Sequence, residues 1–436
     1  MLAVFAFAMV ATFMTLIMTK RLSALLALIL VPTLFALLAG FGAGVGDMML
    51  KGVSELAPTG VMLLFAILFF GVMIDAGLFD PLIRLVVKLV HGDPVRITVG
   101  SAILTLIVAL DGDGTSTYMI TVSALLPLYR HMKMDVRVMA CILIMAVAAM
   151  NLLPWGGPTS RAAIALGLDA RELFLSMLAP VIATSIWVVI VAYILGRRER
   201  TRLAAAPELD EEADVEELLE EEAGDLVTRR PRLYWFNMAL TLGLMGMLVF
   251  GNVPLPVLFM LAFAIALMVN YPGIEAQRER VAAHAGNALA TAGLVFAAGI
   301  FTGVLSGTKM VDAMAGTVIA AIPATLGPYM APITALISVP FTVLISNDAF
   351  YFGMLPILAK TAAGYGIGPM EIARASLVGQ QIHLLSPLVA STYLLVGTAG
   401  IELGDHQRFT MKWALSACLV FFLVSIAFSL FPWRVG

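Results

Sequence analysis

Apolar runs of about 20 residues or more recur along the whole chain, and few folds can accommodate them. They fall at residues 1–19, 22–40, 58–78, 97–129, 138–168, 172–195, 233–250, 255–271, 287–307, 328–359, 371–398 and 413–431. Of the 436 residues 61% are hydrophobic, whereas soluble domains contain roughly 45–50% apolar residues. The sequence therefore predicts an all-α polytopic protein embedded in a lipid bilayer. A net charge of −3 argues against a nucleic-acid partner.

The run 97–129 carries the polar stretch "LDGDGTSTYM" at its middle. It is too long for one upright helix and too short for two, and basic residues lie at both ends. We therefore predict a re-entrant hairpin of two half-helices, with its tip at Asp113. Irregular backbone at membrane depth is tolerated only where protein buries it or where it lines a wet cavity. The tip should therefore line a site, and run 328–359, with "ISNDAFY" at its tip, should be its counterpart from the opposite side.

Two further runs carry prolines and glycines that interrupt helical hydrogen bonding, in "NLLPWGGPTSR" and "QQIHLLSP". The first half of the chain also resembles the second. "ALLPLY" matches "GMLPIL", and "GGPT" matches "LSPL" at the same separation along the sequence. Gly71 matches Gly299 at a separation that is one residue shorter. Each half then crosses the membrane an odd number of times, so the second half is inverted. Inverted repeats with broken helices are typical of secondary transporters that bind their substrate near the midplane.

This repeat divides the chain into three parts. They are a first repeat (1–196, with scaffold helices in 1–80 and the hairpin and broken helix in 97–168), a charged linker (197–232), and a second repeat (233–436, with scaffold helices in 233–307 and the hairpin and broken helix in 328–398). In this topology most Lys and Arg residues lie on the side of the linker. The bias predicts a cytoplasmic linker, with both termini outside a bacterial plasma membrane.

The two tips and two breaks supply the predicted binding site. A half-helix that begins near Gly114 directs free N–H groups at an anion, and carboxylates and hydroxyls are hard oxygen ligands for a cation. The predicted substrate-binding residues are Gly112, Gly114, Thr115, Ser116, Thr117, Asn151, Gly156, Gly157, Pro158, Thr159, Ser346, Asn347, His383 and Ser386. Asp111, Asp113 and Asp348 are predicted to carry metal or protons, because an intramembrane charge is costly to keep. The alternative for Asp113 and Asp348 is a structural helix cap.

Three other interpretations concern single side chains. His383, placed in mid-membrane, is either a satisfied buried histidine or a group that transfers protons or contacts a carboxylate. Arg161 could pair with a substrate carboxylate, but we expect it to extend outward to the membrane surface. Trp155 is expected to fill space between broken helices rather than to cover a ligand.

The sequence contains no signature of a zinc protease, a serine hydrolase or a P-loop nucleotidase. We therefore predict neither an enzyme nor a permanently bound cofactor. An intramembrane aspartyl protease is the remote alternative, because Gly112 and Asp113 form a Gly-Asp pair. That family's G-x-G-D motif needs glycine at position 110, where this chain has Leu110.

Together these motifs resemble those of the CitMHS family of citrate–divalent-metal:proton symporters. "LDGDGTSTYMITVSALLPLYR", "NLLPWGGPTSRAA", "SNDAFYFGMLPIL" and "QQIHLLSPLVAS" occur in order, and the likeness covers nearly the whole chain. The resemblance implies a homodimer that works as an elevator. Its cargo would be citrate bound to Mg²⁺ or Ca²⁺, taken up with protons.

Sodium-coupled relatives of this fold carry Ser-Asn-Thr at each hairpin tip. Here the second tip reads Ser346, Asn347 and Asp348, and the first reads Gly-Asp-Gly-Thr-Ser-Thr. This departure puts a sodium site in doubt and favours proton or metal coupling. A sodium-coupled carrier of di- or tricarboxylates remains the alternative within the same fold.

Overall fold

The computed structural model describes residues 2–90, 92–205, 228–251, 253–321, 323 and 325–435. Over these residues the chain is helical and contains no β-strand. Seven of the described helices are long and apolar enough to cross a membrane. The prediction of an all-α polytopic membrane protein is confirmed.

The helices divide between the two halves of the chain. The first half contains α1 (Leu2–Met18), α2 (Ala24–Leu38), α3 (Val45–Asp75), α4 (Asp80–Val90), α5 (Pro94–Val108), α6 (Gly114–His131), α7 (Val136–Met150), α8 (Gly157–Leu166), α9 (Ala170–Ser176) and α10 (Leu178–Ala204). The second half contains α11 (Tyr234–Phe250), α12 (Leu255–Asn270), α13 (Ile274–Gly307), α14 (Met310–Ala321), α15 (Met330–Leu344), α16 (Leu355–Ala363), α17 (Pro369–Ser376), α18 (Gln380–His383), α19 (Ala390–Ala399) and α20 (Leu403–Ala427).

Several helices extend beyond the apolar runs that predicted them. α3 and α13 begin a dozen or so residues before the apolar runs that predicted them. The runs start late because the first turns of both helices contain charged residues. The short helices α4 and α14 have no corresponding run, since neither is long enough to span a bilayer. α10 continues past residue 197, the predicted start of the linker, and residues 206–227 of that linker lie outside the described residues.

The long helices α3 and α13 cross antiparallel at the centre of the molecule through a contact between glycines. A Cβ atom added to Gly52 would lie 2.0 Å from the carbonyl oxygen of Gly299. One added to Gly303 would lie 2.3 Å from the carbonyl oxygen of Met48. Small residues therefore let the two backbones touch, as is common where helices associate within a membrane.

Substituting Gly52 by alanine should lower the apparent melting temperature of the detergent-solubilised protein. The added methyl group meets backbone atoms, which cannot rotate away, and overpacking of this kind costs about 1–3 kcal/mol. Gly46→Ala is the matched control on the same helix, because a Cβ at that position meets nothing within 4 Å. Equal melting temperatures for the two variants would contradict the close crossing.

The first hairpin breaks at the position that the sequence predicts. Asp93 caps α5 by accepting a hydrogen bond from the backbone N–H of Val95. After α5, a 3₁₀ turn over Ala109–Asp111 leads to Gly112, whose φ of +76° is left-handed and reverses the chain. α6 then returns along α5. That this hairpin enters and leaves on one side of the membrane stays a prediction.

The other three predicted interruptions also appear in the structure. α7 ends at Met150, with Asn151 as its C-cap, and α8 begins at Gly157 after a loop. The second hairpin turns at residues 345–348 between α15 and a π-helical turn, Ala349–Met354, that continues into α16. The second broken helix is divided into the short helices α17, α18 and α19.

The two halves of the chain contact each other through pairs of long helices. On α3, Gly71 faces His284 of α13, and Gly299, which matches Gly71 in the second half, faces Gly52. The indole N–H of Trp187 on α10 donates to the hydroxyl of Ser416 on α20 over 2.9 Å. Trp187 and Ser416 are separated along the chain by the same number of residues as the matched prolines. The two halves therefore contact each other through α3 and α13 and through α10 and α20, and the inverted repeat stays a prediction.

Candidate functional site

A central cavity of about 460 Å³ lies between the α3–α13 pair and the first hairpin tip. This volume is within the range of roughly 300–1,000 Å³ typical of small-molecule sites. α3 supplies a mostly apolar wall. The polar lining consists of Asp111, Asp113, Thr115, Ser116, Ser160, Arg161, His284, Asn287 and Thr291. Polar groups from both halves of the chain therefore converge on one chamber.

Asp113 holds the start of α6 with both of its carboxylate oxygens. Oδ1 accepts from the N–H of Thr115 at 3.2 Å, and Oδ2 accepts from the N–H and the hydroxyl of Ser116 at 3.0 and 2.8 Å. This is an N-cap, the structural alternative raised for this residue. Asp113 also lines the central cavity, so the cap does not remove it from contact with a ligand.

Asp111 has a free oxygen where Asp113 has none. Its Oδ1 accepts from the N–H of Asp113 at 2.9 Å and from the hydroxyl of Thr117 at 3.2 Å. Its Oδ2 is buried and makes no hydrogen bond with the described residues, although the side chain lines the cavity. An unpaired buried carboxylate oxygen is costly unless it is protonated or binds a ligand. Asp111 therefore differs from Asp113 in having one carboxylate oxygen that no described residue satisfies.

The loop between α7 and α8 packs against the first hairpin tip. The indole N–H of Trp155 donates to the carbonyl of Leu110 over 3.0 Å. Its ring packs against Phe70 and Phe259, with ring centroids 5.8 and 5.0 Å away. Trp155 thus packs against α3 and α12, and it also forms part of the cavity wall. Its indole joins the hairpin tip to the loop between α7 and α8.

Arg161 does not extend to the membrane surface, and that expectation is wrong. Its Nε donates to Oδ1 of Asp348 over 2.7 Å, and its Nη1 donates to the carbonyl of Gly157 over 3.1 Å. α8 faces the second hairpin tip, so an acid from the other half lies within reach of the guanidinium. Arg161 lines the cavity and retains N–H groups beyond those two bonds. The ion pair joins the first broken helix to the second hairpin.

The other polar residues of the second hairpin tip form hydrogen bonds with nearby residues of the second half. Ser346 accepts from the N–H of Ala349, and the side-chain amides of Asn347 and Gln380 form a reciprocal pair. His383 is buried with its Nδ1 2.6 Å from the carbonyl oxygen of Thr342, and the hydroxyl of Ser386 donates to the carbonyl of Val343. None of the predicted residues Ser346, Asn347, His383 and Ser386 lines the central cavity.

The predicted residues of the first half fall into two groups. Those that line the cavity are Asp111, Gly112, Asp113, Thr115, Ser116 and Gly157. Those that lie outside its lining are Gly114, Thr117, Asn151, Gly156, Pro158 and Thr159. Members of the second group shape the break: Thr159 donates to the carbonyl of Leu152, and a Cβ on Gly156 would lie 2.0 Å from the carbonyl oxygen of Asn151.

Sequence reasoning missed the polar residues that α13 contributes. His284, Asn287 and Thr291 follow one another at intervals of three and four residues, so they share one face of the helix, and all three line the cavity. The signal is present in "HAGNALAT", where isolated polar residues at helical spacing interrupt small apolar ones. In the described part of the chain, no three His, Cys, Asp or Glu side chains gather into a metal-binding group.

An all-helical membrane chain whose broken helices enclose a polar cavity has the construction of a membrane transporter. The family model of the CitMHS citrate transporters matches residues 1–379. The chain belongs to the CitMHS citrate transporter family. The predicted resemblance is thus confirmed.

The curated relatives are named as transporters. The "Citrate transporter" of Bacillus subtilis (strain 168) is 55% identical over 431 residues and 98% of each chain. The "Mg(2+)/citrate complex secondary transporter" of the same organism is 52% identical over 430 residues, again 98% of each chain. These relatives confirm that the protein is a transporter and not an enzyme, and the intramembrane protease alternative is discarded.

A solved structure shows the same fold at low sequence identity. The crystal structure of the Alcanivorax borkumensis YdaH transporter, described as having an unusual topology, aligns with a TM-score of 0.55 and 16% identity. The alignment covers 88% of this chain and 89% of that one.

Proposed function

We propose that the protein imports citrate as its complex with Mg²⁺ or Ca²⁺, coupled to protons. The observation that carries this proposal is the mixture of charges around one cavity. Two carboxylates, Asp111 and Asp113, and one guanidinium, that of Arg161, line the same chamber. The relative named a Mg(2+)/citrate complex secondary transporter supports the same cargo.

The charge balance of the cavity favours the metal complex over free citrate. Free citrate is a trianion at neutral pH, and two nearby carboxylates repel it in a medium of low dielectric constant. A divalent cation cancels two of its charges and also accepts oxygen ligands from the cavity wall. We assign the metal to the Asp113 carboxylate and the hydroxyls of the first tip, and a citrate carboxylate to Arg161. The selection between Mg²⁺ and Ca²⁺ then depends on cavity size and ligand number.

We assign proton coupling to Asp111. Its buried Oδ2 has no hydrogen-bond partner in the described part of the chain, so protonation removes an uncompensated charge. Asp113 is the less suitable carrier, because both of its oxygens already accept hydrogen bonds at the start of α6. Asp348 serves instead as the counter-ion of Arg161.

The arrangement of the protein in the membrane belongs to the same proposal. α3 and α13 form the core of a scaffold, and the hairpins and broken helices form a domain that moves as an elevator. The protein works as a homodimer in a bacterial plasma membrane, with a cytoplasmic linker and both termini outside. The basic residues on the linker side of the proposed topology support this orientation.

Uptake of labelled citrate into proteoliposomes tests the cargo and the coupling ion together. We expect uptake to require Mg²⁺ or Ca²⁺ and to rise under an inward proton gradient, because the cavity repels free citrate and Asp111 needs a proton. Chelation of the divalent ion should reduce uptake to that of empty liposomes. Uptake that depends on sodium and ignores divalent ions would instead establish the sodium-coupled alternative.

A further inference from the structure

One wall of the central cavity carries two neutral polar side chains, both on the long helix α13. Asn287 and Thr291 line the cavity and lie one helical turn apart, so they share one face of the helix. Between residues 285 and 301 they are the only polar side chains among alanines, glycines and large apolar residues. A polar group at this depth is unfavourable without a partner, so a ligand or cavity water has to satisfy both side chains.

Neither side chain is occupied by the protein itself. Thr302, further along α13, donates its hydroxyl to the carbonyl of Ala298 over 3.0 Å, as threonines in helices commonly do. Within the described residues Thr291 makes no such bond, and the side-chain amide of Asn287 has no hydrogen-bond partner. Asn287 is exposed and Thr291 is partly exposed. An amide and a hydroxyl are therefore available to a ligand in the cavity.

α13 is fixed against α3 on both sides of this pair. Before the pair, Nε2 of His284 lies 2.8 Å from Oδ2 of Asp75. The imidazole lies close to Gly71, where a Cβ atom would be 2.5 Å from Cγ of the ring. After the pair comes the close crossing of α3 and α13 through their glycines. Binding groups on a rigid element need little ordering when the ligand arrives, so they contribute more to affinity.

The cargo proposed for this cavity has a carboxylate that the other polar walls do not engage. Citrate has three carboxylates, of which one group is assigned to the metal at the first tip and another to Arg161 on α8. The metal cancels two of the three negative charges, so the remaining carboxylate needs hydrogen-bond donors rather than another cation. α13 contacts α8, which places its polar face beside the helix that carries Arg161.

We propose that Asn287 and Thr291 form a subsite for this third carboxylate. The inference rests on the proposed transport of metal–citrate through the same cavity. The amide of Asn287 offers two N–H donors and the hydroxyl of Thr291 offers one O–H donor, whereas a carboxylate only accepts. The subsite selects tricarboxylates over dicarboxylates. A ligand that lacks the third carboxylate leaves both donors unpaired, and a site built to form hydrogen bonds discriminates strongly against such a ligand.

A comparison of two ligands tests the subsite. Citramalate is citrate in which a methyl group replaces one carboxymethyl arm, so it keeps the hydroxyl and two carboxylates. Equilibrium binding of both ligands to the purified protein, with saturating Mg²⁺, gives the ratio of their dissociation constants. The wild type should prefer citrate. Asn287→Leu, which has a similar volume but no hydrogen-bonding group, should reduce that preference roughly tenfold or more.

Thr291 provides an independent pair of variants, which also serves if Asn287→Leu does not fold. Thr291→Val removes the hydroxyl at nearly constant volume and should reduce the preference for citrate. Thr291→Ser keeps the hydroxyl and should retain more of the preference than Thr291→Val does. Thr302→Val is the matched control on the same helix, because Thr302 does not line the cavity, and it should show the wild-type ratio.

Asn287→Asp tests which part of the cargo lies against α13. A new carboxylate at this position repels a citrate carboxylate, so this variant should bind metal–citrate more weakly than the wild type. Tighter binding would place the metal beside α13 and would overturn the subsite.

The remaining outcomes separate the subsite from the proposed function. A wild type that binds no metal–citrate overturns the proposed function itself. A wild type that binds the complex, beside an Asn287→Leu protein with the same preference for citrate, overturns only the subsite. Equal weakening of citrate and citramalate in Asn287→Leu would also overturn it, since a change that merely distorts the cavity affects both ligands.

Discussion

Replacing Asp111 by asparagine is expected to abolish proton-driven citrate uptake while the hairpin keeps its fold. The amide oxygen can still accept from the N–H of Asp113 and the hydroxyl of Thr117, so the turn retains its hydrogen bonds. The amide NH₂ then occupies the place of the partnerless Oδ2 and resembles a permanently protonated acid. Net uptake under a pH gradient should fall to that of empty liposomes, whereas exchange at equal pH should continue. A pH-sensitive dye inside the liposomes should report no proton entry with citrate.

Asp113→Asn is the matched comparison, two residues away on the same tip. Asparagine is as good an N-cap as aspartate, so α6 should still begin at Gly114. Because Asp113 lines the cavity, this variant should bind the metal complex more weakly, yet it should keep the wild-type pH dependence. If the pH dependence disappeared in Asp113→Asn and persisted in Asp111→Asn, the proton would belong to Asp113 and our assignment would be wrong.

The sequence predicts the breaks of this fold well, because breaks depend on local chemistry. Gly112 is needed where the backbone becomes left-handed, and Pro158 lies at the start of the restarted helix. Helix ends are predicted less well. The first turns of α3 and α13 contain charged residues, so an apolar run begins later than the helix does. The homodimer, the elevator motion and the orientation in the membrane stay predictions, since they concern a second chain, a movement and the surrounding bilayer.

The site is predicted only where its residues lie close together in sequence. Asp111, Asp113, Thr115 and Ser116 belong to one turn, and a polar cluster within an apolar run is visible without a structure. Arg161 pairs with Asp348, which lies 187 residues later in the sequence, and no local pattern reveals that pairing. His284 was missed because its partner, Asp75, lies on another helix and looks interfacial in the sequence.

The Arg161–Asp348 pair supplies a physical reason for the proposed preference for metal-bound cargo. Both side chains are mostly buried, with 24% and 17% of their surfaces exposed, so water screens their attraction only in part. A citrate carboxylate must share the guanidinium with Asp348 or displace it. Displacement leaves Asp348 without its counter-ion in a partly buried place, which a divalent cation brought with the citrate can compensate.

Arg161→Gln should therefore weaken binding of metal–citrate, and Asp348→Asn should relax the requirement for metal. Loss of a hydrogen bond to a charged group costs about 1.5–3 kcal/mol, so the affinity of Arg161→Gln should fall roughly ten- to a hundredfold. Arg161→Lys keeps the positive charge but loses the planar guanidinium, so its affinity for metal–citrate should lie between those of the wild type and Arg161→Gln. In Asp348→Asn the competing carboxylate is gone, so free citrate should bind more tightly relative to its metal complex. Binding of labelled citrate to purified protein, with and without Mg²⁺, measures both effects.

Asp312→Asn provides the control, because it breaks an ion pair of similar length away from the cavity. Nζ of Lys360 lies 2.8 Å from Oδ1 of Asp312, with about half of each side chain exposed, and exposed pairs contribute little. This variant should bind free and metal-bound citrate as the wild type does. If Asp348→Asn behaved in the same way, the second hairpin tip would take no part in choosing the cargo. Arg161 would then have only a structural role, as the residue that joins the two halves. The preference for metal would have to come from Asp111 and Asp113 alone.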